Sequence, residues 1–166
     1  ITDDNFTFYK DYVMSFCEEL IRADLDIVWR CSNSVRLDKI DMDILKAMRR
    51  SGCYSVAFGI ESGSDRILQK IKKGLAKDKI IEAVKMASRS GLQVNGSFIL
   101  GFPSETEEEI RETIRFARKL NIMMANFNCF IPLPGTESYD EIVREGGLKD
   151  FDWENFSFSN VIYAPK

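Results

Sequence analysis

The sequence predicts an α/β fold in which strand–helix units repeat along one parallel sheet, with the helices outside. The clearest unit spans residues 91–106, where an apolar strand ends at Gly101-Phe102-Pro103 and a helix follows. The tripeptide Arg-Ser-Gly recurs at 50–52 and 89–91, each time between a helix and the next strand. Strands that alternate with helices pair in parallel through right-handed crossovers. Four whole strands and a strand stub are too few for an eight-stranded barrel, so we expect an incomplete barrel or an open doubly wound sheet.

The predicted strands are short runs rich in β-branched, aromatic and other apolar residues, and glycine or proline ends most of them. They cover residues 26–31, 53–60, 92–100 and 122–131. The run 53–60 is apolar almost throughout, as expected of a strand that is buried on both faces of a parallel sheet. Ile1 is interpreted as the tail of a further strand at the front of the chain.

Helices are predicted where apolar residues recur at helical spacing. Four of them follow a residue that can cap a helix, namely Thr7, Asp41, Ser64 and Thr106, and Thr106 forms a capping box with Glu109. A further helix covers the region of Ile80, and the last one begins near Ser138. The residues expected to face the core are Phe8, Tyr12, Val13, Phe16 and Leu20 in the first helix, and Ile110, Ile114 and Ala117 in the helix after Thr106.

The composition is that of an ordinary globular protein, with 45% hydrophobic and 30% charged residues among 166. With a net charge of −3 the chain as a whole has no excess of positive charge, so a nucleic-acid partner is not favoured. No apolar run approaches the roughly 20 residues that span a bilayer, and no signal peptide is visible. We therefore expect a cytoplasmic protein without a membrane segment.

The cysteines do not form a motif. Cys17, Cys31, Cys53 and Cys129 lie far apart, there is no Cys-x-x-Cys, and the chain has no histidine. Structural zinc sites need clustered cysteine or histidine ligands, so no metal site is predicted in this chain. We expect all four thiols to be reduced and largely buried.

Polar side chains gather at the predicted carboxyl ends of the strands, which in strand–helix folds is where ligands bind. They are Asp3, Asp4, Arg36, Glu61, Ser62, Ser97 and Asn128. Glu61 is the most informative, because a carboxylate that ends so apolar a strand is costly to bury without a partner. Either it accepts hydrogen bonds from ligand hydroxyls or it pairs with Arg36. Asp3 and Asp4 could merely cap the next helix, and Lys70, Lys72 and Lys73 are interpreted as a solvated helix face.

Five motifs in chain order resemble those of the radical S-adenosylmethionine (SAM) superfamily. They are Asp3-Asp4-Asn5-Phe6-Thr7, Trp29-x-Cys31 with Arg36, Phe58-Gly59-Ile60-Glu61-Ser62-Gly63, the run from Ser97 to Thr106, and Pro132-Leu133-Pro134-Gly135-Thr136. The set is most similar to the cobalamin-binding-type branch, which includes the anaerobic magnesium-protoporphyrin monomethyl ester cyclases. The resemblance covers the chain up to about Thr136.

The resemblance implies a fold and a domain division. The fold would be a partial (βα)6 TIM-like barrel that is truncated at its amino-terminal side, with about four parallel strands plus a strand stub and helices outside. Residues 1–136 would form the carboxyl-terminal two-thirds of this barrel, and residues 137–166 a terminal helix and an irregular aromatic tail.

The resemblance also implies chemistry, in which a [4Fe–4S] cluster cleaves SAM to a 5′-deoxyadenosyl radical. By the family's pattern, Asp4 and its backbone would meet the methionyl amine of SAM, and Glu61 would bind the ribose hydroxyls. Arg36 resembles a polar strand-end residue that faces SAM or a small-molecule substrate.

The adenine ring of SAM would rest on the third and fourth predicted strands. Ser97, Ile99 and Gly101 would form its shelf, with Ile99 in apolar contact, and the last strand around Phe127 and Asn128 would offer a backbone edge. Ser97 stands where the family's adenine motif often has glycine. Glu105 lies one position later than the family's usual glutamate.

The family's Cys-x-x-x-Cys-x-x-Cys cluster motif is missing. We therefore expect the parent protein to be an enzyme, with cobalamin supplied through another domain, whereas this chain alone is expected to hold no cofactor and to be inactive. A tRNA-modifying radical SAM enzyme and a non-enzymatic βα binding module remain alternatives.

The chain begins with Ile1 rather than Met, which suggests a piece of a longer protein. The missing first unit would leave the edge of the strand at 26–31 without a neighbour. Exposed strand edges pair readily with other chains. We therefore expect the isolated piece to self-associate through its amino-terminal side.

Overall fold

The sheet is parallel, as predicted. The computed structural model describes residues 1–3, 5–148 and 161–165. One four-stranded sheet has the order β1-β2-β3-β4, and every neighbouring pair is parallel. Its strands are β1 (Trp29–Val35), β2 (Cys53–Glu61), β3 (Gln93–Leu100) and β4 (Met124–Cys129).

Six α-helices accompany the sheet within the described residues. They are α1 (Lys10–Arg22), α2 (Met42–Arg50), α3 (Asp65–Lys70), α4 (Lys77–Arg89), α5 (Glu107–Lys119) and α6 (Glu137–Arg144), and a short 3-10 helix covers Leu37–Lys39. The predicted caps Asp41, Ser64 and Thr106 are confirmed, since each side chain accepts a hydrogen bond from the first turn of its helix. None of the helices that the structure describes is long and apolar enough to cross a bilayer.

The amino-terminal stub lies where the sequence predicts it. The amino group of Ile1 donates to the carbonyl of Arg30 over 2.8 Å, and the backbone N–H of Ser32 donates to the carbonyl of Ile1 over 3.2 Å. This pair of hydrogen bonds is the pattern of two parallel strands. Ile1 therefore covers the edge of β1 between Arg30 and Ser32.

The first complete strand differs from its prediction. We expected residues 26–31, whereas β1 runs from Trp29 to Val35. The polar residues after Cys31 predict a loop, but backbone pairing with β2 continues, with an irregularity, as far as Val35 and Phe58. Backbone hydrogen bonds do not depend on side-chain polarity, so a polar sequence can extend a strand where its neighbour offers partners.

The start and inner face of α1 also differ from the prediction. The helix begins at Lys10, Thr7 does not cap it, and Phe8 and Tyr12 are exposed. Its buried residues are Val13 and Cys17. The aromatic ring that anchors this region lies before the helix: buried Phe6 makes edge-to-face contacts with Phe16 and Trp29 at centroid distances of 5.3 and 5.8 Å. This aromatic cluster sets the entry of the chain and leaves Phe8 outside.

Helix α5 is rotated relative to its predicted face. Ile114 is exposed, whereas Thr113, Phe116 and Ala117 are buried. Gly63 explains the rotation, because a Cβ at this position would lie 2.7 Å from both the Cα of Thr113 and the Cβ of Phe116. The glycine lets α5 approach the loop after β2 until Thr113 forms hydrogen bonds with it.

Candidate functional site

Two of the predicted site side chains meet on the inner face of the sheet, the face opposite the helices. Asn128 on β4 donates from Nδ2 to the Oγ of Ser97 on β3 over 3.2 Å. Ser97 is in register with Gly59 on β2, and Ile99 is in register with Asn128. Because side chains alternate along a strand, Ser97 and Ile99 share one face. Ser97, Ile99 and Asn128 thus form a partly exposed surface with a polar centre.

This polar surface extends further than the sequence analysis predicted. Asn126 lies two residues before Asn128 and is in register with Ser97, so it faces the same side. Asn95, two residues before Ser97, donates from its amide to the Oγ of Ser55 over 3.1 Å. The alternation of asparagine and serine along β3 and β4 is the signal that identifies these residues.

Phe127 lies on the other face of β4. Its ring stacks on buried Phe98 at a centroid distance of 5.2 Å and an interplanar angle of 23°. The side chain therefore lies on the same face as Phe98, where it remains 42% exposed at the edge of the sheet. Only the backbone of Phe127 is available for the adenine edge that the sequence comparison assigns to it.

Glu61 ends β2 on the same rim of the sheet as the Ser97 surface, since it is in register with Phe98. Its φ of 70° places it in the left-handed region, which non-glycine residues seldom adopt. Its carboxylate pairs with Lys73, with 2.8 Å between Oε1 and Nζ. The alternative prediction, that Glu61 pairs with Arg36, is therefore wrong.

Arg36 has a different carboxylate partner. Its Nε and Nη2 donate to the two carboxylate oxygens of Asp38, each over 2.9 Å, and this pairing lowers the pKa of Asp38. Arg36 precedes the 3-10 helix and lines a cleft of about 320 Å³ that Gly59 and Lys73 also line. Arg36 thus lies at the predicted rim of the sheet, where its guanidinium is paired with Asp38.

The acidic pair at the front of the chain is only partly visible. Asp4 lies outside the described residues. Asp3 accepts a hydrogen bond from the backbone N–H of Asn5 over 2.9 Å at its Oδ1, so it caps the turn before α1. Asn5 lines the same cleft as Arg36.

The three lysines expected on a solvated face are all paired with carboxylates. Lys73 pairs with Glu61, Lys72 with Glu137 at 2.8 Å, and Lys70 with Glu141 at 3.0 Å. The last two pairs join α3 and the turn that follows it to α6, which thus lies beside the carboxyl ends of the strands. The interpretation as a solvated face holds for Lys72, whose side chain is exposed, but not for Lys70 and Lys73, which are partly buried in their ion pairs.

Gly101 marks the turn after β3 with a φ of 88°. Its N–H donates to Oε2 of Glu105 over 2.6 Å, and the N–H of Phe102 donates to the same oxygen over 3.1 Å. Glu105 is buried, its Oε1 has no hydrogen-bond partner among the described residues, and burial raises the pKa of its carboxyl group. In the sequence Glu105 stands out only as a displaced motif residue, whereas in the structure it closes the turn that holds Gly101.

Glu109 joins the loops after β2 and β3. Its Oε1 accepts from Ser64 Oγ over 2.9 Å and from Arg66 Nε over 2.7 Å, and its Oε2 accepts from Thr106 N over 3.0 Å. The Arg66 guanidinium is the main reason why the pKa of Glu109 falls from 4.5 to about 2. One ionised side chain thus fixes both loops that carry predicted site residues.

Three of the four cysteines do not fit an iron–sulfur cluster, and the fourth, Cys129 at the end of β4, is only partly buried. Cys17, Cys31 and Cys53 are buried, and burial raises the pKa of Cys31 to about 12 and that of Cys53 to about 11. Cluster ligation requires thiolates, which such environments disfavour. Within the described part of the chain, no group of three or more His, Cys, Asp or Glu side chains could hold a metal ion.

Comparisons with known proteins agree on a family. The family description "Radical SAM superfamily" matches residues 1–117. An uncharacterized methyltransferase from Pyrococcus horikoshii is 40% identical over 155 residues, which are 93% of this chain and 33% of that protein. The anaerobic magnesium-protoporphyrin IX monomethyl ester cyclase of Rubrivivax gelatinosus is 28% identical over 165 residues, 99% of this chain and 29% of that protein. The chain thus spans about a third of the length of these relatives.

A solved structure shows the same fold. The radical SAM methyltransferase TsrM from Kitasatospora setae, solved with cobalamin and a [4Fe-4S] cluster bound, superimposes with a TM-score of 0.74 at 18% identity. The match covers 99% of this chain and 34% of that one. The four parallel strands with outer helices therefore correspond to part of a radical SAM barrel, as the sequence motifs predict.

Proposed function

This chain belongs to the radical SAM superfamily, and we propose that it forms the SAM-binding part of a radical SAM enzyme. The observation that carries the proposal is Glu61, a carboxylate in a left-handed conformation at the carboxyl end of β2. Strain of this kind costs on the order of 1 kcal/mol and is retained chiefly at functional sites. The rim where Glu61 stands is where ligands bind in sheets of this type.

The inner face of the sheet would receive the adenosyl group of SAM. Glu61 would accept hydrogen bonds from the ribose hydroxyls, and Ile99 would contact the adenine ring. Ser97 and Asn128, joined by a 3.2 Å hydrogen bond, would border the ring with polar groups. Gly101 would let the chain turn away from the ligand, as its positive φ allows.

The remaining predicted residues would take the methionyl end of SAM or the substrate. Asp4 would meet the methionyl amine. Arg36, at the mouth of the cleft beside Gly59, would face SAM or a small-molecule substrate. The backbone of Phe127 on the outer strand would offer an edge to adenine.

Bound SAM would supply a methyl group or, when reductively cleaved, a 5′-deoxyadenosyl radical. The buried thiols of Cys31 and Cys53 do not fit the [4Fe–4S] cluster that this chemistry needs. We infer that the cluster ligands, and any cobalamin, are held by another part of the protein. Methyl transfer is the favoured reaction, because a relative that is 40% identical is described as a methyltransferase. Oxidative cyclisation is the second candidate, since cyclases match over 99% of this chain or more.

The test is SAM binding by the full protein, with and without the Glu61 carboxylate. Glu61→Gln keeps the shape of the side chain but removes its charge. Loss of a charge-assisted hydrogen bond costs about 1.5–3 kcal/mol, so we expect roughly ten- to a hundredfold weaker SAM binding by calorimetry. Glu82→Gln, which removes an exposed carboxylate on α4, is the matched control. Equal SAM affinity in all three proteins would rule out the proposed ribose contact.

A further inference from the structure

Lys73 forms an ion pair with Glu61 that is largely shielded from solvent. The distance between Nζ and Oε1 is 2.8 Å, and the two side chains are only 26% and 19% exposed. Most other ion pairs of the described residues involve at least one side chain that is about half exposed or more, for example Lys79–Glu82 at 70% and 61%. The Lys73–Glu61 pair therefore has a more defined geometry than a typical surface pair, whose long side chains are mobile.

The backbone fixes Lys73 at this position. Helix α3 ends at Lys70, and Lys72, two residues later, is in the left-handed region at a φ of 55°. The N–H of Lys73 donates to the carbonyl of Leu68, and the N–H of Lys72 donates to that of Gln69, each over 3.0 Å. This nested pair of bonds closes the end of the helix, and glycine usually occupies the left-handed position. Leu68 is itself buried, so the closed turn is anchored in the core.

Both sides of the ion pair thus carry a backbone residue in an unfavourable conformation. Glu61 is left-handed itself, and Lys72 precedes Lys73. The left-handed conformation of Lys72 is common at the end of a helix, whereas that of Glu61, at the end of a strand, points to a functional constraint on the carboxylate it orients.

The constraint concerns one carboxylate oxygen. Lys73 occupies Oε1 of Glu61, and among the described residues no hydrogen-bond partner is found for Oε2. An ionised carboxylate has about four acceptor positions, so an oxygen that faces an open rim can accept from a ligand. We propose that Lys73 is a positioning residue that holds the Glu61 carboxylate so that Oε2 receives the ligand's vicinal hydroxyls. This inference rests on the proposed function, because Glu61 must be the residue that binds the ribose.

Positioning predicts a particular pattern of ligand binding. Lys73→Met keeps the length of the side chain but removes the ammonium group, so Glu61 would lose its fixed orientation. We expect Lys73→Met to weaken binding of SAM and of 5′-deoxyadenosine about tenfold. Binding of 2′,3′-dideoxyadenosine, which lacks the vicinal 2′- and 3′-hydroxyls, should not change. Lys73→Arg should restore most of the lost affinity, and Lys79→Met, in the exposed pair on α4, should bind as the wild type does.

The experiment is calorimetric titration of the full protein and its variants with these three ligands. In the double variant Glu61→Gln/Lys73→Met, affinity for 5′-deoxyadenosine should equal that of Glu61→Gln, because Lys73 acts only through Glu61. If Glu61→Gln weakens binding and Lys73→Met does not, positioning by Lys73 is wrong while the proposed function stands. Weaker binding of SAM without weaker binding of 5′-deoxyadenosine would instead mean direct contact of Lys73 with the methionyl end, and would also overturn positioning. If neither variant changes any affinity, the proposed function itself has failed.

Discussion

The hydroxyl of Thr113 on α5 accepts a hydrogen bond from the backbone N–H of Gly63 over 2.9 Å. The same hydroxyl lies 3.2 Å from that of Ser62, and all of these atoms are buried. The loop that follows Glu61 is therefore fixed by a helix that is distant in sequence. The backbone conformation of Glu61 depends on this loop, so α5 stabilises the rim of the sheet as well as covering its outer face.

Thr113→Val tests this contact, because valine has nearly the same shape but cannot form hydrogen bonds. The buried N–H of Gly63 would lose its partner, and a buried unsatisfied donor costs about 1–3 kcal/mol. We expect the free energy of unfolding, measured by urea denaturation, to fall by that amount. Thr113→Ser, which keeps the hydroxyl, should lose less. If the two variants are equally destabilised, the methyl group of Thr113 matters and its hydrogen bonds do not.

Most of the fold could be predicted from local signals. The predicted strand 53–60 differs from β2 by one residue, and the capping box at Thr106 is present as expected. Both signals depend on residues within a few positions of one another. The end of β1 shows where local signals fail. Its backbone pairs with β2 although the side chains there are polar, and the local pattern predicts a loop. The predicted strand therefore ends at Cys31, four residues before the observed end at Val35.

The candidate site was less predictable because its contacts cross between elements. The sequence places Ser97, Glu61 and Arg36 at or near strand ends. In the structure Glu61 ends β2 and Arg36 directly follows β1, while Ser97 lies within β3, three residues before its end. It does not reveal that Lys73 folds back on Glu61, since no periodic pattern links the end of a helix to the preceding strand. Nor does it show which face carries Phe127, because an edge strand with alternating polar and apolar residues has either orientation until its register is known.

A second prediction concerns the left-handed conformation of Glu61. Glu61→Gly and Glu61→Ala both remove the carboxylate, but only glycine adopts a φ of 70° without steric cost. We expect the glycine variant to be about 1 kcal/mol more stable to unfolding than the alanine variant. At Ser97, which lies within β3, the order should reverse, because glycine weakens an ordinary strand. An alanine variant at position 61 as stable as the glycine variant would show that the backbone there relaxes without strain.

A third prediction concerns acid. The pKa of Glu109 falls from 4.5 to about 2 in the folded chain, chiefly through Arg66. A lowered carboxyl pKa adds stability that is present above the unfolded value and is lost as the pH falls from about 4.5 towards 2. The full shift corresponds to about 3 kcal/mol, but the Arg66 side chain is 52% exposed, so solvent screening reduces our expectation to roughly 1–2 kcal/mol.

Urea denaturation at a series of pH values provides the measurement. Glu109→Gln cannot ionise, so the stability difference between wild type and variant should shrink as the pH falls through that window. Glu107→Gln, which removes an exposed carboxylate two residues earlier in α5, is the control and should show a smaller change. A difference that stays constant from neutral pH to pH 2 would mean that the ionised form of Glu109 does not stabilise the two loops.

The last prediction has the opposite sign and concerns Glu105. Burial raises the pKa of this carboxyl group, and its Oε1 has no partner among the described residues. The folded chain therefore holds the proton more tightly than the unfolded chain. Where the folded state binds more protons, stability falls as the pH rises. Ionisation of Glu105 should thus cost stability progressively above the ordinary pKa of a glutamate, which is about 4.3.

Glu105→Gln removes this titration while its side-chain oxygen can still accept from the N–H groups of Gly101 and Phe102. We expect the variant to gain stability relative to wild type as the pH rises from 4 to 8, by urea denaturation at each pH. Glu18→Gln, at an exposed position on α1, is the control and should show no such gain. If wild type instead becomes more stable relative to the glutamine variant over this range, the ionised carboxylate is the form that closes the Gly101 turn. Its two backbone hydrogen bonds would then outweigh the cost of burying the charge.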